Sequence, residues 1–183
     1  MPQAGPSAPH GEQNADREAQ ALSRSAPMTE PAGDHPRVIA FPPLLFLSAL
    51  VTGGLLHLAF PRTLLPPLVA RLLGAALVVA ALLLAGAARR AMVRAGTNVD
   101  PREPTTAIVS DGPFRFTRNP LYLSLVLLYL GGTLLIDGVA PLLVLAPVLI
   151  VLHVGIVRRE ERYLEDKFGD VYRAYRARVR RYL

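Results

Sequence analysis

Two long stretches of this chain carry almost no charge. Across residues 38–88 the only charged side chains are Arg62 and Arg71, and across residues 121–157 the only one is Asp137. A water-soluble helix alternates an apolar stripe with a polar face. Here apolar residues fill every face, which suits hydrocarbon rather than water. The predicted fold class follows: all-α, integral to a membrane, with about four transmembrane helices in two hairpins.

The four spans are expected over residues 39–60, 64–88, 121–136 and 139–157. At about 1.5 Å per residue the first reaches roughly 33 Å, enough to cross a bilayer. Pro42 and Pro43 fall in its first turn, where missing N–H groups cost least, and Pro61 closes it. Pro66 and Pro67 open the second, in which Arg71 can snorkel to the interface. Asp137-Gly138 makes a tight turn between the third and fourth, whose shortness fits a compact hairpin meeting thinned lipid. Residues 38–183 thus form the membrane domain. Residues 1–37, rich in Pro, Ala, Gly, Ser and charge without apolar period, read as a disordered tail and lack the apolar core of a signal peptide.

Orientation is read from Lys and Arg in short loops. The loop near Leu64 carries Arg62, and the Asp137 loop carries none. The middle connection carries Arg89, Arg90, Arg94, Arg102, Arg115 and Arg118, and nine Lys or Arg follow from Arg158 onward. Both termini and the middle connection are therefore expected in the cytosol, with the protein multi-pass in an inner or cytoplasmic membrane. The net charge of +6 lies beside the apolar blocks, which points to an anionic lipid surface. No aromatic-interleaved basic motif suggests nucleic acid. The chain has no cysteine, which excludes disulfides, thiolate chemistry and Cys-ligated metal. His10, His35, His57 and His153 lack ligand spacing, so no metal site is expected.

Chemistry can begin in the middle connection. Arg89 to Ala95 continue the second helix, and Gly96 suits its C-terminal cap. The run from Thr97 to Pro104, with two prolines, reads as a loop. Ser110-Asp111-Gly112-Pro113 reads as a turn. Then comes Phe114-Arg115-Phe116-Thr117-Arg118-Asn119-Pro120-Leu121-Tyr122, with Pro120 in the first turn of helix three and Asn119 as its N-cap. A helix N-terminus with Arg118 beside it can take a carboxylate or phosphate. Equally, Arg115 and Arg118 can simply hold lipid headgroups.

After the fourth span comes Arg158-Arg159-Glu160-Glu161-Arg162. Adjacent residues on a helix point about 100° apart, so the two carboxylates cannot share one job. Either one faces a pocket while the other pairs with Arg158 or Arg162, or both belong to a surface ladder. Phe168-Gly169-Asp170 breaks the helix. Beyond it Tyr172, Tyr175, Val179 and Tyr182 share one face opposite Arg173, Arg176, Arg180 and Arg181, the pattern of a C-terminal amphipathic helix on an anionic leaflet.

Two of these motifs together carry a resemblance. The run Gly112-Pro113-Phe114-Arg115-Phe116-Thr117-Arg118-Asn119-Pro120-Leu121-Tyr122 resembles the signature of the isoprenylcysteine carboxyl methyltransferase family, which includes related phospholipid N-methyltransferases. The family's Glu-Glu pair, Phe-Gly and spaced tyrosines are matched by Glu160-Glu161, Phe168-Gly169, Tyr172 and Tyr175. The similarity runs over residues 96–183. It implies S-adenosylmethionine as cofactor, bound over residues 96–122 and 158–183, with Gly112, Pro113, Phe114, Arg115, Arg118, Asn119, Pro120, Tyr122, Glu160 and Glu161 as its contacts. The cofactor's carboxylate suits Arg118 or the helix-three N-terminus, and its hydroxyls or amino group suit Glu160 or Glu161. Phe114, Phe116 and Tyr122 would pack the adenine, and the loop 97–104 would close as a lid.

Asn119 stands where many members carry His, and Ser124 where Gly is common. Losing the titratable His favours an acceptor that needs no base, so the expected reaction is methyl transfer to a lipophilic carboxylate, from the bilayer or a lipidated substrate. An amine acceptor on a phospholipid headgroup is the alternative, with Glu160 or Glu161 as base. A non-catalytic membrane protein retaining the fold is the reading of another class.

Overall fold

The computed structural model describes residues 40–100 and 103–182. The tail expected over residues 1–37 lies outside the described residues, as do the first two residues of the domain that begins at 38 and the cofactor-region residues 101, 102 and 183. The regular structure of the described residues is helical, apart from a single parallel β-bridge between Thr117 and Arg180. Five α-helices follow in order: α1 (Pro42–Ala59), α2 (Pro67–Arg94), α3 (Pro120–Ile136), α4 (Val139–Ile150) and α5 (Arg158–Arg178). A short 3-10 turn (Gly112–Arg115) precedes α3, and a π-helical stretch (Val151–Val157) joins α4 to α5.

Three helical stretches are long and apolar enough to cross a membrane: α1, α2 and the continuous run Val139–Arg178. The fourth, α3, is apolar but has 17 residues, about 25 Å of rise, and would meet thinned lipid. The protein is thus an all-α, multi-pass membrane protein.

Helix ends follow local chemistry. Pro42, Pro67 and Pro120 each occupy a first turn, where no N–H is missed. Gly96, at φ +68°, ends α2 in a Schellman motif: its N–H reaches Val93 O and that of Thr97 reaches Met92 O, both at 3.1 Å. Asp137 plays the same part after α3 at φ +54°. Its carboxylate also accepts from the backbone N–H groups of Leu64 (3.0 Å) and Leu65 (3.1 Å), while Val139 N–H donates to Arg62 O at 3.0 Å. The two loops at that end are therefore clipped together, which a simple two-residue turn would not require.

The chain runs as two hairpins, but the packing crosses them. Helix α2 packs chiefly along α3, and α1 along α4, while α3 and α4 share few contacts. Small residues set both close approaches. A Cβ on Gly53 would sit 2.5 Å from Pro141 Cα, and one on Gly131 would sit 2.9 Å from Gly74 O. In lipid no hydrophobic effect drives helices together, so such backbone contact is what pays for association. The core between them gathers Phe46, Tyr129, Leu145, Val148 and Leu152. Tyr129 satisfies its hydroxyl on Pro141 O at 2.8 Å and meets Phe46 edge-on at 6.0 Å.

Candidate functional site

The polar residues collect at one end of the bundle, where α1 begins, α2 ends, and α3 and α5 begin. A cavity of about 490 Å³ opens there. Its walls are Phe41, Pro42 and Pro43 at the start of α1, Ala85 and Met92 from α2, Arg118 and Asn119 just before α3, and Pro120 to Tyr122, Ser124 and Leu125 from α3. Phe114, Glu160 and the loop residues Asn98, Val99, Asp100 and Thr105 complete it. The volume is that of an ordinary small-molecule site, and the lining is mostly apolar with a few polar groups.

The loop is built by its own hydrogen bonds. Asn98 Nδ2 donates to Pro104 O (2.9 Å), Thr106 N–H to Thr97 Oγ1 (3.1 Å) and Thr106 Oγ1 to Gly96 O (2.7 Å).

The Glu pair divides its work. Glu160 faces the cavity and accepts a 2.7 Å hydrogen bond from the Tyr122 hydroxyl. It lies just beyond the apolar stretch, and burial pushes its carboxyl above the usual carboxylate range, with the Tyr122 bond opposing. Glu161 turns away from that cavity and is clasped by two arginines. Arg118 Nη2 lies 3.0 Å from its Oε1. Arg181 takes both oxygens, with Nε 3.0 Å from each and Nη2 2.8 Å from Oε2. The expected alternatives for this pair, Arg158 or Arg162, are not its partners. The π-helical stretch ends before Arg158, so its i→i+5 bonding changes which face of α5 turns inward and not the spacing within α5.

Arg118 is the unusual member. Its side chain is only 8% exposed, and after the single contact with Glu161 its Nε and Nη1 have no hydrogen-bond partner among the described residues. Buried donors are nearly always paired, so two orphaned ones beside a cavity call for an anion.

A smaller space of about 70 Å³ lies on the far side of Arg118, under α5. Tyr172 and Tyr175 roof it, and Tyr175 donates from its hydroxyl to Phe114 O at 2.9 Å. Burial, aided by Glu161, pushes the Tyr172 hydroxyl up to about 12, and burial also raises Tyr175. Both side chains are buried against protein, so this face of the amphipathic helix covers the site rather than resting on lipid alone. The helix stops at Arg178, and Gly169 kinks it at φ +51°. Val179 and Tyr182, expected on its apolar face, lie beyond its end.

The ten residues expected as contacts are thus sorted. Phe114, Arg118, Asn119, Pro120, Tyr122 and Glu160 line the large cavity, and Glu161 lies behind Arg118. Gly112, Pro113 and Arg115 form the turn that carries Phe114 and do not line either space. Phe116, expected against the adenine, is 74% exposed and also lines neither. Asn119 occupies the N-cap position of α3 as expected, but its side chain makes no cap hydrogen bond: its Nδ2 donates to Arg181 O at 2.9 Å. The residue that sequence reasoning missed is Arg181, whose position among nine basic residues in the tail carried no distinguishing signal. Among the described residues no cluster of His, Cys, Asp or Glu could hold a metal.

A buried arginine with two unpartnered donors and a carboxyl beside a mostly apolar cavity, at one end of an all-α bundle, defines a class: multi-pass membrane proteins with a small-molecule-sized pocket at one end. The particular family follows from comparison. The phospholipid methyltransferase family model matches residues 69–171, more than half of the chain, from the start of α2 into α5. The chain belongs to this family, and so is a membrane methyltransferase of the phospholipid or isoprenylcysteine type. A protein of Haemophilus influenzae described as an uncharacterized protein is 43% identical over 63 residues, covering 34% of this chain and all of that protein. No solved structure matches.

Proposed function

We propose that the protein transfers methyl groups from S-adenosylmethionine to a lipophilic acceptor drawn from the bilayer. The observation that carries this reading is Arg118, with two buried donors free beside a cavity that also holds Glu160. A zwitterionic amino-acid end fits that pair: its carboxylate on Arg118, and its ammonium or nearby hydroxyls on Glu160. Phe114, Tyr122 and Met92 offer packing for a flat base. The bound donor supplies a methyl on cationic sulfur, moved by in-line displacement. The chain's own residues then orient and dehydrate: the apolar walls exclude water, and Arg118 and Glu160 fix one end of the ligand.

The acceptor we infer is a lipophilic carboxylate, because Asn119 brings no titratable group and a carboxylate needs no base. A phospholipid amine is the second reading, supported by Glu160, whose raised carboxyl lines the same cavity and could take a proton. The basic end of the bundle is assigned to the cytosol. Because the chain has no cysteine, single cysteines placed at Arg90 and Arg62 should react with a membrane-impermeant maleimide from opposite sides, and labelling from the same side would reject that orientation.

Titration of the purified protein in detergent with S-adenosylmethionine should release or absorb heat with saturation. Arg118→Ala should weaken binding about ten- to a hundredfold, the worth of a charge-assisted hydrogen bond. Absence of binding by the unaltered protein refutes the reading. Radiolabelled methyl in extracted lipid that is lost in mild base marks an ester, and a base-stable label marks an amine.

A further inference from the structure

The last described residues form a strap across the site. Arg118 N–H donates to Arg180 O at 2.9 Å, Thr117 Oγ1 donates to Arg181 O at 3.1 Å, and Asn119 Nδ2 donates to the same oxygen at 2.9 Å. The Tyr182 hydroxyl lies 2.9 Å from His153 Nδ1 on the π-helical stretch. Between these anchors the Arg181 side chain reaches Glu161 with three contacts, while Arg118 makes one.

That asymmetry has a chemical consequence. A carboxylate facing a guanidinium prefers the two-point fork. Were Glu161 free, it would take that fork with Arg118, occupy a second of its N–H groups and cancel its charge. Arg181 occupies the fork instead. The group of two guanidiniums and one carboxylate keeps one net positive charge, and Arg118 keeps Nε and Nη1 for another anion. We propose that Arg181 is a positioning residue that reserves Arg118 for the carboxylate of the bound ligand. This rests on the methyl-donor reading above and extends it to a residue that lines neither space.

The test compares two ligands that differ by one group: S-adenosylmethionine and its decarboxylated analogue, each titrated calorimetrically. The unaltered protein should prefer the carboxylate-bearing ligand by about ten- to a hundredfold. In R181Q that preference should fall to within about threefold of unity, while affinity for the decarboxylated ligand stays within about threefold of its original value. Equal weakening for both ligands would mean that Arg181 only holds the fold, and an undiminished preference would mean that it does nothing to Arg118; either overturns the proposal. Should R181Q fail to fold, R181K carries the same test, since lysine keeps the charge and loses the fork. A reduced preference with unchanged binding of the decarboxylated ligand supports the role, and an unchanged preference overturns it. Failure of the unaltered protein to bind either ligand falls on the methyl-donor reading itself, and is distinguished by appearing before any substitution is made.

Discussion

Replacing Gly131 by alanine tests how the cavity walls are held. A Cβ there would lie 2.8 Å from Val78 Cγ2, 2.9 Å from Gly74 O and 3.0 Å from Val78 N. Two of those atoms are backbone, and Val78 is β-branched with a single favoured rotamer in a helix, so the helices must part by a few tenths of an ångström. Overpacking of this kind costs about 1–3 kcal/mol. Alanine also recovers the backbone-entropy penalty of glycine, about 1 kcal/mol in a helix. Gly86 on α2 supplies the control, because a Cβ there meets nothing within 4 Å. Gly86→Ala gains the same propensity with no clash, so the difference between the two variants isolates the close approach. At about 2–4 °C per kcal/mol for a chain of this size, Gly131→Ala should melt about 2–12 °C below Gly86→Ala in detergent. Met92 and Ala85 on α2 line the cavity together with Pro120 to Tyr122, Ser124 and Leu125 on α3, so ligand affinity should fall as well. Equal melting of the two variants would refute the idea that backbone contact joins α2 to α3.

Two further outcomes follow from single side chains. Asp137→Ala removes the acceptor of Leu64 and Leu65 N–H and places alanine at φ +54°; it should cost about 1–3 kcal/mol in denaturation experiments, whereas Asp137→Asn, which keeps an acceptor and tolerates that φ, should cost less. Glu160 holds its proton more tightly folded than unfolded, since burial raises its pKa. Its contribution is therefore most favourable below the ordinary carboxylate range and is lost as pH rises through the raised value. Glu160→Gln should remove that pH slope from a series of melting curves; persistence of the slope would place its origin elsewhere.

Much of this architecture is legible residue by residue, because its causes are local. Uncharged apolar blocks demand a bilayer, Pro42, Pro67 and Pro120 mark helix starts, and Gly96 and Asp137-Gly138 mark helix ends, since each acts through its own φ or its own missing N–H. The Arg118 to Tyr122 run and Glu160-Glu161 stand out as chemistry for the same reason: charge beside an apolar block is conspicuous in one dimension. Partnership is not. Nothing in the spacing tells that α1 lies along α4, because close approach at Gly53 and Pro141 depends on surfaces that meet only after folding. Nor does it tell which glutamate faces the cavity. That depends on the π-helical stretch resetting the rotation of α5, and on a strap from the far end of the chain delivering Arg181 to Glu161. The charge-poor blocks alone determine where this protein resides. Only the tertiary structure decides that one buried arginine keeps two donors without a partner, because hydrogen-bond satisfaction is a property of neighbours brought together in space.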